Sequence, residues 1–305
     1  MCQIVPEYLR RRVSTPAERM AQAAAVPAGP EMSRRGFLGL AAAASVALAA
    51  PPAWAQGAKV EVQWLGQSTT KITTLTGKVI VIDPFLTHNP KTPQAYKNLD
   101  ALGKVDVILV THGHGDHVGD VKDLAARTGA KVVGPSGLIG TMVELGWVPG
   151  DQAVRFGKGG KVQPAGPQIT ITQTRAEHSS EVTVTDPTTK KSVTYPGGEP
   201  AGFILECENG FKIYHMGDTG LFGDMRLIGE YYKPDLIMVP IGGHFVMDPR
   251  DAAYATREMI KPKYAIPFHY ATIPVLKGTP QEYQAALGQT TTQVFPISPG
   301  DKLTF

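Results

Sequence analysis

The sequence predicts an α/β fold in which two β-sheets pack face to face and helices cover their outer faces. Short β-rich runs open the body of the chain and strand–helix alternation follows. Both kinds of stretch occur in each half of residues 56–305. Elements that are apolar on one face must bury it against another layer, and that recurrence suits paired sheets with outer helices.

The elements follow in order. Strands are predicted at residues 60–65, 69–74 and 79–82, where β-branched residues cluster. Residues 107–110 form an unbroken apolar run, the mark of a strand covered on both faces. A helical pattern covers 121–127, a short strand 131–133, and a second helix 137–145. Strands are then predicted at 169–174, 203–207, 211–216 and 236–239. Asp248-Pro249 opens a helix reaching about residue 260, the acid as cap and proline in the first turn. Residues 264–267 make the next strand. The polar, Pro- and Gly-containing stretch 185–200 reads as a loop or hairpin insertion near the active face. No linker or repeat divides 56–305, so it reads as one domain.

Residues 1–55 read as an N-terminal extension and leader. Arg34-Arg35 precedes Gly36-Phe37-Leu38, an apolar run from Phe37 to Ala50 follows, and Ala53-Trp54-Ala55 is a small-x-small cleavage site. The paired arginines are similar to a twin-arginine export signal. The apolar run is 14 residues long, short of the roughly 20 that span a bilayer. The expectation is cleavage after Ala55, passage through the export machinery, a periplasmic or otherwise exported product, and no stable membrane insertion afterwards. The n-region starts at Met1 or at Met32.

The formal charge is +3. Taking the six basic and three acidic residues of 1–55 from totals of 30 and 27 leaves 24 of each, a neutral body. That speaks against a nucleic-acid partner. The expected partner is a small-molecule substrate, with homo-oligomerisation allowed. Of the two cysteines, Cys2 falls in the leader and Cys207 alternates with Phe203 and Leu205. Cys207 therefore reads as a buried small hydrophobe, with no internal disulfide in the mature chain.

The chemistry concentrates in Thr111-His112-Gly113-His114-Gly115-Asp116-His117, directly after the buried strand. His-x-His sets two imidazoles on one side of an extended turn, and Asp116 and His117 follow where the chain bends toward a helix. The small residues Gly113 and Gly115 let the backbone fold tightly around an ion. Imidazole nitrogen with carboxylate oxygen suits Zn²⁺, and also Mn²⁺ or Fe²⁺.

His-x-His-x-Asp-His after a strand resembles the signature of the metallo-β-lactamase superfamily. Three later motifs match in order: Ala176-Glu177-His178-Ser179-Ser180, His215-Met216-Gly217-Asp218-Thr219-Gly220 and Pro267-Phe268-His269-Tyr270. Asp83-Pro84-Phe85 and Gly197-Gly198-Glu199-Pro200-Ala201-Gly202-Phe203 resemble its branch related to ascorbate-6-phosphate lactonases. The resemblance implies an α/β fold, the four-layer αββα sandwich. It implies two divalent metal ions, zinc foremost. His112, His114 and His178 would hold one, Asp116, His117 and His269 the other, and Asp218 would bridge them. A hydroxide between the ions would be the nucleophile, cleaving a lactone or phosphoester, with Asp116 orienting it and accepting its proton. His114 stands where redox members carry an acid, which argues against a di-iron oxidase. Asp218 resembles lactonases, phosphodiesterases and thioesterases more than true β-lactamases. The rival readings are a non-catalytic metal- or ligand-binding protein and, further off, a nuclease.

Other residues admit two readings each. His244, in a loop after a strand, either contacts substrate or donates a proton, or else only structures its loop. His88 flanks the pocket or faces solvent. His215 packs within its strand. Asp83 hydrogen-bonds a ligand imidazole or makes a strand-end turn. Tyr270 donates to an oxyanion or packs in the core.

Overall fold

The computed structural model describes residues 59–305. The expected leader at 1–55, with Arg34 and Arg35, lies outside the described residues. The chain begins with β1 (Glu61–Trp64), β2 (Thr70–Thr73) and β3 (Val79–Ile82). Then come β4 (Val107–Leu109), the single turn α1 (Gly115–Val118), α2 (Val121–Thr128), β5 (Lys131–Pro135), α3 (Ser136–Glu144) and β6 (Ala153–Phe156). Next are β7 (Lys161–Val162), β8 (Thr170–Arg175), β9 (Glu181–Thr185), β10 (Ser192–Pro196), β11 (Ala201–Glu206) and β12 (Lys212–His215). The last third holds α4 (Met225–Leu227), β13 (Leu236–Pro240), α5 (Pro249–Tyr254), β14 (Tyr264–Phe268), α6 (Pro280–Leu287), β15 (Gln293–Val294) and β16 (Lys302–Thr304).

Two seven-stranded sheets result, ordered β16-β1-β2-β3-β4-β5-β6 and β15-β14-β13-β12-β11-β8-β7. In each, antiparallel strands on one side give way to parallel strands on the other, at β3–β4 and at β12–β13. Side-chain alternation explains the layers. Ile80 and Ile82 of β3 enter the core between the sheets, with Leu236 and Met238 of β13 from the other side. Val81 points the other way, into a cluster with Leu124, Leu138 and Met142 of α2 and α3. Ile237 and Val239 likewise meet Ala252 of α5 and Tyr283 of α6. Three apolar layers between four structural layers make the αββα sandwich.

Asp248 caps α5 as its sequence predicts, accepting from the Arg250 and Asp251 N–H groups with Pro249 in the first turn. The helix then widens into π-type turns over Ala255–Ile260. The insertion predicted at 185–200 is the second half of a hairpin, β9–β10, that starts earlier, at Glu181. Missing from the sequence reading are β6, β7, β9, β15, β16, α4 and α6. The strands are short or hold few apolar residues, so period-2 alternation has little to register in them. Helix α6 carried a signal that went unread: Thr279 and Glu282 form a capping box around Pro280. Cys207 is buried beside Phe203 and Leu205, and burial pushes its thiol up to about 12. Among the described residues, no helix is long and apolar enough to cross a membrane.

Candidate metal centre

The site forms where strands end along one edge of the sandwich. Its residues follow β4 (His112 to His117), β8 (His178), β12 (Asp218) and β14 (His269). The geometry separates the seven predicted ligands into two groups. His112, His114 and His178 converge in one; Asp116, His117, Asp218 and His269 in the other.

In the first group His114 Nδ1 lies 3.0 Å from His112 Nε2 and 3.2 Å from His178 Nε2. In the second, Asp218 Oδ1 is 3.3 Å from His117 Nε2 and Oδ2 is 3.0 Å from His269 Nε2. The same Oδ2 is 3.7 Å from His178 Nε2, so Asp218 stands between the groups. Asp116 Oδ2 is 3.5 Å from His269 Nε2 and 3.7 Å from His117 Nε2.

A buried relay aims the imidazoles. Asp83 accepts from His117 Nδ1 at 2.8 Å and from the Thr111 hydroxyl at 2.7 Å. That hydroxyl lies 3.0 Å from His112 Nδ1 and accepts its proton. Both rings thereby donate through Nδ1 and turn Nε2 to the site, as outer partners of metal ligands do. His114 Nε2 faces Glu181 of β9 at 3.0 Å. Of the two readings of Asp83, both hold: it sits at a strand-end turn with φ of 48° and it fixes a ligand ring.

The charges argue for a cation. Burial pushes Asp218 up, but His117 and His269 outweigh it and hold the carboxyl well below its usual range. Asp116 is lowered in the same way by His117 and His269 against its burial. Burial drives His269 down, yet Asp218 and hydrogen bonds to both acids lift it to about 9. His117 is also raised, by Asp218, Asp116 and Asp83 against burial. Burial keeps His112 and His178 neutral and able to coordinate. The raised His117 and His269 rings supply the positive charge that the two carboxylates hold between them, the place a bound cation would take. His117 Nε2 and Asp218 Oδ1 are buried without a hydrogen-bond partner of good geometry, the state expected of atoms aimed at an ion. The donor set fits zinc, manganese or iron.

Gly113 is needed for space: a Cβ there would lie 2.9 Å from the Glu181 carbonyl oxygen and from a Val182 methyl. Gly115 is a correction, because a Cβ there meets nothing within 4 Å. It opens α1 rather than wrapping an ion. Gln67, which the sequence reading missed, sits at the centre. Its Nε2 lies 2.8 Å from Asp116 Oδ2 and 2.7 Å from His269 Nε2, and its backbone holds a φ of 51° in the β1–β2 turn. An amide carries no ligand signature in sequence, and only the fold brings residues 67 and 269 together.

The ligands open into a cavity of about 440 Å³ whose walls include His88, Phe245 and Ile273. His88 is both exposed and at this rim. The structure does not bring His244 to the cavity. Gly243 and His244 both adopt positive φ, and the His244 ring is exposed in a separate depression with Lys277 and Glu282. Its neighbour Phe245 takes the place in the wall. His215 packs on Phe268 and its Nε2 reaches the Ser68 carbonyl, a strand histidine as predicted. Tyr270 packs against Trp64, ring centroids 5.3 Å apart and tilted, and lies half-buried against the core.

A His- and Asp-lined cleft on the edge of an αββα sandwich is the arrangement of a metal-dependent hydrolase. A model described as the beta-lactamase superfamily domain matches residues 78–270. A UPF0173 metal-dependent hydrolase from Cupriavidus necator is 58% identical over 249 residues, covering 81% of this chain and 86% of its own. Igni18, a metallo hydrolase from Ignicoccus hospitalis, superposes with a TM-score of 0.69 at 31% identity, covering 81% of this chain and 98% of its own. The metallo-β-lactamase fold protein YhfI from Bacillus subtilis shares the fold, with a TM-score of 0.60 at 12% identity and coverage of 81% and 100%. The chain belongs to the metallo-β-lactamase superfamily, among its UPF0173 metal-dependent hydrolases.

Proposed function

We propose that the protein is a two-metal hydrolase that turns water against a lactone or phosphoester bond. The observation that carries this is Asp218, whose two oxygens face His117 and His269 on one side and His178 on the other. His112, His114 and His178 would hold one divalent ion and Asp116, His117 and His269 the second, with Asp218 common to both. Ions bound there supply Lewis acidity and lower the pKa of water from ~15.7 toward ~7. The chain's own groups do the rest. Asp116 has a side chain 34% exposed against 3% for Asp218. It is therefore the carboxylate that meets incoming water, and Asp116 Oδ2 takes the water's proton. Gln67 Nε2 and the Ser68 hydroxyl, donating to the Asp116 carbonyl at 3.1 Å, hold it in place.

Asp218→Ala tests this. It should cut bound metal from two ions per chain to one or fewer, measured by atomic emission. Turnover should fall by more than the roughly 10–100-fold cost of losing an outer-shell partner. Unchanged metal content and turnover would end the bridging role.

Export belongs to the same proposal. Arg34-Arg35 ahead of a short apolar run directs the folded protein across the inner membrane. Replacing both arginines with lysine should leave the protein in the cytoplasmic fraction. Undiminished periplasmic recovery would remove the twin-arginine reading.

A further inference from the structure

We infer that the cavity above the ligands takes the apolar part of an uncharged ester or lactone, not a phosphorylated substrate. The inference rests on the hydrolase reading and names its substrate class.

Two loops build the mouth. One, Gly242–Met247, closes through Gly243 N–H to the Met247 carbonyl and presents Phe245, 53% exposed. The other, 271–276, closes through Ala271 N–H to the Leu276 carbonyl and presents Ile273, 43% exposed. Phe85 forms a third wall, its backbone N–H fixed by the Thr69 hydroxyl. Single exposed apolar residues are ordinary, but two exposed ones and the half-buried Phe85 converging on one cleft mark a place that apolar matter fills. The His244 ring stands edge-on to Phe245, with centroids 4.4 Å apart.

Charge points the same way. Among the described residues, imidazoles are the only basic side chains lining the cavity; no lysine or arginine does. Arg175 is paired with Glu177 and Asp224, Lys158 with Glu199, and Lys97 donates to the carbonyls of Thr87 and Asn89. A terminal phosphate buried against Phe245 and Ile273 would be desolvated with no side-chain cation to compensate.

The test uses the full chain loaded with Zn²⁺. Its substrates are unbranched γ-alkyl lactones of increasing tail length, with p-nitrophenyl phosphate and bis-p-nitrophenyl phosphate beside them. Each buried methylene should raise kcat/KM by about fourfold until the cavity is full, the gain appearing in KM and not kcat. Phe245→Ala and Ile273→Ala should flatten that slope, so that each added methylene gains less than about twofold. The same slope should appear without catalysis, as tighter calorimetric binding of longer 1-alkanols, weakened in both variants. Lactone turnover that ignores tail length would overturn the apolar site while sparing the hydrolase. Preference for either phosphoester would overturn the substrate class. Alkanol binding with a chain-length slope but no turnover of any substrate would keep the apolar site and sink the hydrolase reading.

Discussion

Asp83 makes no contact with the cavity, yet it decides what His117 offers to it. Its carboxylate takes the His117 Nδ1 proton and the Thr111 hydroxyl proton, and accepts the Thr111 backbone N–H at 2.8 Å. Asp83→Ala should therefore weaken metal binding by about 10–100-fold, read by competition with a chelator. The loss of partners at a buried N–H should also cost about 1–3 kcal/mol in denaturant unfolding. Metal affinity equal to that of the parent chain would show that the imidazole needs no such anchor. Cys207 is the opposite case. Its thiol is buried in the inter-sheet core with its pKa pushed up, and it does not line the cavity.

Elements decide which ligands can meet. The His-rich turn after β4 must pass under the start of β9, and Gly113 is where the two backbones touch. Gly113→Ala would force that turn away from Glu181 and Val182, and with it His112 and His114. The variant should lose bound metal while Gly115→Ala, with open space around it, keeps it; equal metal content in the two would refute the packing argument. The hairpin β9–β10 adds Glu181, whose carboxylate faces His114 and is held below its usual range mainly by that hydrogen bond. Strands β12 and β14 deliver Asp218 and His269 from the second sheet, so each ligand group needs residues from both halves of the chain.

At the scale of the whole molecule, the two sheets share one architecture, each passing from antiparallel to parallel strands. The metal edge lies where several of those strands end. Local sequence was enough to foresee the layers, because β-rich and βα stretches recur in both halves and the apolar run at β4 must be covered on both faces. It was enough to name the seven candidate ligands, because His-x-His-x-Asp-His concentrates donors in one turn and the later motifs resemble a known pattern. Short edge strands escaped it, since two to four residues carry little period. Which donors group together, and that Asp218 stands between the groups, depended on strand ends 100 residues apart arriving at one edge. Gln67 beside Asp116 and His269, His244 turned outward and Phe245 turned toward the cavity were likewise decided by tertiary structure alone. An amide has no ligand signature, and a loop's positive-φ residues redirect side chains by geometry that residue types do not encode.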